Sequence, residues 1–218
     1  MKKSIIVVFI TMLTFFGKAY SEISYGVSLA FTEIDASGTE TEGGEQTNAS
    51  ASNSVVIPSV FVEYAYTDVI SVGLDFIPLK ADVSNKTKSR SDTETSVSGT
   101  ATTTSTARTN KAQAELENHT TLYANYMFND EYFVKAGVAY VSLNTEESLG
   151  TGSKYGNDDI FGGVIGVGAK TGNHRFELIY TDYEDISLTS SVARTGVTTN
   201  NKIDADLDTI ALKYSYAF

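Results

Sequence analysis

Two histidines, His119 and His174, are the whole imidazole complement of this 218-residue chain, and it has no cysteine. An imidazole set beside a carboxylate and a hydroxyl is the arrangement that activates an oxygen nucleophile. Glu117, His119 and Thr121 occupy alternate positions, which on one continuous strand would put all three on the same face. The hydroxyl is threonine, however, and residues two apart along a strand seldom aim at a common atom. Catalysis is therefore not expected, and His119 reads as a rim histidine with ordinary hydrogen-bond partners. His174, beside Arg175 at a turn, reads as solvated. The lack of cysteine excludes a disulfide framework and thiolate metal sites.

Two further sets of charged residues could carry chemistry. The first comprises Glu63, Asp75 and Glu177 with Lys135, Lys170, Arg175 and Lys213, all on the polar faces of alternating segments. If those faces line a narrow lumen, each charge must be paired, because an unpaired charge in a confined space is costly. Glu177 and Lys213 are the expected direct pair, with Glu63, Asp75 and Lys135 at comparable depth. Such a network is either a structural plug or a narrow, gated ion path. The second set is Glu33, Asp182, Glu184, Asp204, Asp206 and Asp208. Oxygen-only ligands suit Ca²⁺ or Mg²⁺. These carboxylates are either splayed into water or form a divalent-cation patch that bridges the protein to lipid A phosphates.

The elements that would position these residues are strands of period two. Eight segments alternate apolar with small or polar residues: 23–33, 55–66, 69–79, 116–128, 132–143, 160–170, 174–183 and a closing segment through Phe218. The last of these sets Ile210, Leu212, Tyr214, Tyr216 and Phe218 on one face, against Ala211, Lys213, Ser215 and Ala217 on the other. Each apolar stripe has about the length a tilted strand needs to cross a bilayer. Connections alternate strictly between tight turns at 67–68, 129–131 and 172–173 and long polar stretches at 34–54, 80–115, 144–159 and 184–206. That is the expected contrast of short periplasmic turns and long outer loops. The Ser/Thr tract at 98–106 is too poor in apolar residues to build a core and is expected to be mobile, with strand extensions near the barrel as the alternative.

Composition agrees with a barrel. Mean hydropathy is −0.11, as alternating strands require, and thirteen Tyr and eleven Phe can form interfacial girdles in a chain with no Trp. A net charge of −11 argues against a nucleic-acid partner. Lys2 and Lys3 precede an apolar run over 4–16 that is too short for a membrane helix, and Ala19 and Ser21 offer small residues before Glu22. Residues 1–21 thus read as a cleavable signal peptide, with a retained amphipathic anchor as the alternative. Residues 22–218 read as one domain with four long extracellular loops.

The assembled pattern, the segment from Tyr132 to Tyr140 and the terminal Phe218 resemble the small eight-stranded outer-membrane β-barrels. That family includes the OmpA transmembrane domain, OmpX and the opacity-type surface proteins. The resemblance implies an all-β, antiparallel, up-and-down transmembrane barrel in the bacterial outer membrane. It implies lipid, lipopolysaccharide and the barrel-assembly machinery as partners, with the closing strand as the assembly signal. No segment matches the peptidoglycan-binding domain of full-length OmpA proteins, so that role is not carried over. The barrel hosts many functions. A structural, adhesive or recognition role through the loops is expected first, a low-conductance porin second and a lipid A-modifying enzyme third.

Overall fold

The computed structural model describes residues 23–42, 45–84, 88–98, 102–148, 154–191 and 200–218. The expected signal peptide lies outside these residues. Among the described residues eleven strands occur in chain order: β1 (Ile23–Glu42), β2 (Glu45–Ala65), β3 (Ile70–Phe76), β4 (Ala81–Asp82), β5 (Lys88–Ser98), β6 (Thr102–Met127), β7 (Tyr132–Ser148), β8 (Asn157–Thr171), β9 (His174–Tyr183), β10 (Ile186–Thr189) and β11 (Lys202–Ala217). Eight of them form an antiparallel wall in the order β1-β2-β3-β6-β7-β8-β9-β11, and β11 pairs back onto β1. The closing ladder runs from Gly26 opposite Ala217 to Thr41 opposite Lys202. Phe218 completes it, donating its N–H to the Tyr25 carbonyl at 2.8 Å.

Alternation decides what faces where. On β1 the side chains of Tyr25, Val27, Leu29 and Phe31 are exposed, while Gly26, Ser28 and Ala30 between them are buried. The same holds for Phe161, Ile165 and Val167 on β8 and for Ile210, Leu212 and Tyr214 on β11. A continuous exterior belt of large apolar and aromatic side chains is far beyond what a water-facing surface carries, and it is the surface that lipid requires. The fold is an eight-stranded transmembrane β-barrel.

The short connections are held by their own side chains. Thr67 Oγ1 accepts from the N–H of Ile70 at 2.9 Å, and Asn129 Oδ1 accepts from those of Glu131 and Tyr132 at 2.9 and 2.8 Å. At the opposite end the strands run much further than their apolar stripes. β1 and β2 stay in register out to Glu42 opposite Glu45, and β5 pairs with β6 from Lys88–Ala112 to Ser98–Thr102. Much of what was expected as loop at 34–54 and 80–115 is therefore ladder. The Ser/Thr tract is part of it, since Thr102 to Thr106 open β6, while 99–101 lie outside the described residues. A hairpin needs only paired backbone, and β-branched threonine favours that state.

Inside the wall, several aromatic rings lie across glycines of the neighbouring strand. Phe61 faces Gly26, Tyr123 faces Gly73 and Phe133 faces Gly168. A Cβ on Gly73 would collide with the Tyr123 ring, and one on Gly26 would come within 2.6 Å of Phe61. Gly163, by contrast, has open space where a Cβ would stand. Gly73→Ala should therefore cost about 1–3 kcal/mol through overpacking, while Gly163→Ala should be close to neutral. Urea unfolding of the two refolded variants checks this, and equal stabilities would contradict it.

Candidate functional site

The lumen has three levels. Nearest the turn end, six charged side chains form three ion pairs between strands. Arg175 of β9 grips Glu63 of β2 with both guanidinium nitrogens, at 2.6 and 2.9 Å. Glu63 also accepts from the Tyr123 hydroxyl at 3.1 Å and from Asn125 Nδ2 at 2.9 Å. Lys213 of β11 reaches across to Asp75 of β3 at 2.5 Å, and Ser59 Oγ donates to the same carboxylate at 3.1 Å. Lys135 of β7 pairs with Glu177 of β9 and lies 4.0 Å from the centre of the Tyr123 ring. Every carboxylate is matched by a cation, which is the condition under which buried charge is tolerated.

The expected Glu177–Lys213 pair is not formed. Lys213 and Glu177 are opposite each other in the β9–β11 register, yet Lys213 binds Asp75 and Glu177 binds Lys135. Long ammonium side chains can cross a narrow bore, so the partner is chosen across the lumen and not along the ladder. Lys170, expected in the network, instead lines a vestibule at the turn end with Asp68, Ser71 and Arg175.

Above the plug is a cavity of about 90 Å³. Its floor includes Asp75 and Lys213, and its walls include Ile57, Ile77, Leu116, Val164 and Ile179. The outer half of the lumen is filled by an apolar core: Ile34, Val141, Leu143, Ile160 and Leu207 are almost fully buried, with Ile186 and Leu188 of β10 packed among them. This core was not anticipated: Val141, Leu143 and Ile160 lay inside expected strands but were not read as inward apolar positions, and Ile34, Ile186 and Leu188 fell in stretches expected as loops.

His119 lines the cavity, and one of its ring nitrogens, Nε2, lies 2.9 Å from the Tyr183 hydroxyl. Of the Glu117–His119–Thr121 face expected from the spacing, His119 and Thr121 share the cavity and Glu117 does not. A bulge shifts the β6–β7 register between Glu117 and Thr120, with Asn118 at φ 55°. One extra residue reverses the side on which a side chain emerges. Glu117 consequently points outward and pairs with Lys80, which also binds Glu115 at 3.2 Å. His174 stands near the turn end, with Nδ1 2.7 Å from the Tyr214 hydroxyl.

On the exterior, just past the belt, the acidic residues are more dispersed than expected. Asp204 pairs with Lys202 at 2.8 Å, and Glu184 accepts the Phe161 N–H at 2.9 Å. Glu33 lies opposite Ile210, and Asp206 lies opposite Ser37. What remains is a cross-strand row in which Asp208 stands between Asp35 and Asp182. Asp35 was missed, being two positions beyond the expected strand end. Among the described residues no group of three or more His, Cys, Asp or Glu side chains is arranged to hold a metal ion.

The geometry is that of the small outer-membrane barrels: a closed ring of eight strands, tight turns at one end, long hairpins at the other and an apolar belt between. No protein-family model matches the chain, and no curated protein matches it. Among solved structures it is similar to Ail, the attachment invasion locus protein of Yersinia pestis, at 10% identity over 88% of this chain and 99% of that one, with a TM-score of 0.45. It is also similar to the outer membrane protein AlkL, at 14% identity over 93% of each chain and a TM-score of 0.49. The outer membrane protease OmpT of Escherichia coli is similar at 13% identity over 92% of this chain and 99% of that one, with a TM-score of 0.43. What those proteins do is not carried over to this chain.

Lys213→Met should destabilise the barrel by about 3–5 kcal/mol, because Asp75 is left without its cation. In a double-mutant cycle Lys213 should couple strongly to Asp75 and weakly to Glu177. Equal coupling to both would contradict the pairing described.

Asp208 supplies a pH test. Its partial burial first, and then Asp35 and Asp182 beside it, raise its carboxyl above the ordinary value of 3.8. A raised carboxyl holds its proton more tightly in the folded state, so stability is greatest below the unfolded value and falls as pH rises through the folded one. Asp208→Asn should therefore stabilise the barrel at neutral pH by up to about 1 kcal/mol, the scale of one like-charge cross-strand contact. The gain should vanish near pH 3 and shrink in high salt. A gain independent of pH would be inconsistent with charge repulsion.

Proposed function

We propose that this protein is a surface protein of the bacterial outer membrane, exported by a cleavable signal peptide, that recognises its partner through paired hairpins standing beyond the belt. The supporting observation is the continuation of the wall as register-locked ladder well past the apolar stripes. From Ile34 to Glu42 on β1, for example, about nine residues continue beyond the belt, roughly 30 Å of extended chain. Such ladders hold their side chains in fixed rows, which suits recognition better than unpaired loop does. The outward face carries Asp35, Asp206 and Asp208 above lipid level, where Ca²⁺ or Mg²⁺ shared with lipopolysaccharide phosphates would relieve their repulsion.

The pore reading is weaker. An ion travelling the axis would meet the paired charges and then the apolar core, and both oppose its passage. An enzyme is weaker still, since the bulge at Asn118 separates the carboxylate from the imidazole.

Wild-type barrel in planar bilayers should pass almost no current. Replacing Glu63, Asp75 and Lys135 together with Ala should still leave it nearly closed, because the apolar outer half persists. A steady ion-selective current from wild type would favour the channel instead. Cells displaying the barrel should adhere to their target surface, and replacing residues 36–51 with a two-residue turn should abolish adherence while the barrel still assembles. Adherence unaffected by that replacement would overturn recognition by the β1–β2 hairpin.

A further inference from the structure

The wall is incomplete at one place. The β2–β3 ladder ends at Val60 opposite Phe76. Continuing that register sets Pro58 opposite Pro78, and these are the only two prolines in the chain. Proline has no N–H to give to a ladder and is confined to edges or breaks in a sheet. Two prolines facing each other remove both donors at one rung. Beyond them β4 pairs with β6 and not with β2. Among the described residues no backbone pair joins 54–59 of β2 to 77–81. The Asn53 Nδ2 bond to the Asp82 carbonyl at 2.7 Å closes the gap on its outer side.

The break lies within the belt and beside the cavity. Val56, Val60 and Phe76 around it are exposed apolar residues. Leu79 is 52% exposed on the outside and also lines the cavity, and Ile57 and Ile77 line it from the two sides of the break. Among the described residues that line the cavity one polar atom lacks a partner: His119 Nδ1 is buried with no hydrogen bond. The other polar groups at the floor are already neutralised, Lys213 by Asp75 and Lys135 by Glu177. An added ion would have no counter-charge there. A neutral molecule with one hydroxyl would satisfy His119 in either tautomer, donating to a bare nitrogen or accepting from a protonated one.

We propose that the cavity binds a small neutral amphiphile, an aromatic or short aliphatic alcohol, which reaches it sideways from the lipid through the gap between Pro58 and Pro78. The volume of about 90 Å³ is below the roughly 150 Å³ of an engineered apolar cavity known to take benzene. The gap relaxes that limit, because part of the ligand can remain in the opening beside Leu79. The apolar walls hold the body, and His119 holds the hydroxyl.

Benzyl alcohol and toluene are suitable probes, titrated into the full-length barrel in lipid nanodiscs and read by ligand-observed NMR. Saturable binding of benzyl alcohol is expected, about tenfold tighter than toluene, the worth of one hydrogen bond. Ala30→Phe, which fills the cavity, should abolish saturable binding. His119→Phe should keep toluene binding and erase the preference for the alcohol. Either variant binding benzyl alcohol as wild type does, or no saturable binding to wild type, would overturn the site. The opening is tested separately with Pro58→Val and Pro78→Val combined, which restores both donors. The new amides should become protected from hydrogen exchange, and ligand exchange should slow at least tenfold with affinity little changed. An unchanged exchange rate would overturn the lateral route.

Discussion

In a hydrocarbon surround no water is available to a backbone N–H or C=O, so strands pair on both edges, and the wall opens only where Pro58 and Pro78 have no N–H to give. The β1–β11 ladder meets this demand and the other features follow from it. Joining the two ends of an eight-stranded sheet sets a bore that side chains can fill. Once the bore is that narrow, inward positions are taken by glycine, small residues, rings laid over glycines, charges that neutralise one another, or aliphatic side chains packed together. All five solutions occur, and each is placed by strand parity.

That parity is also why so much was legible beforehand. Alternation at Tyr25 to Phe31, or at Ile210 to Phe218, states which face meets lipid without any tertiary information. The tight turns declare themselves through Thr67 and Asn129, whose side chains bind nearby backbone. Three things were hidden. The partner of Lys213 depends on reach across the bore, which no local pattern encodes. The bulge at Asn118 is a single inserted residue, invisible until the neighbouring strand supplies a register. The continuation of the wall past Phe31 is written in small polar residues, where apolar alternation, the signal used to find strands, is missing. The two prolines were visible throughout as the chain's only pair, but their meaning needed the β2–β3 register.

The lumen changes character along its axis. Water and lipid headgroups can reach the turn end, and the charges lie near it. The outer half is apolar and closely packed, with Ile34, Val141 and Leu207 at its centre. The charged side chains thus gather toward one end of the lumen and an ordinary hydrophobic core fills the other. The hairpins above are anchored to that core, which gives them a rigid base.

The Lys213–Asp75 contact joins strands that are not neighbours in the wall. Asp75 belongs to β3 and its cation to β11, so a partly built sheet that lacks the closing strand holds an uncompensated carboxylate. Closure and neutralisation are one event. Partially zipped barrels are thereby raised in energy relative to the finished ring, and the transition between them becomes all-or-none. The same spoke across the bore also acts as a check that the circle has been completed.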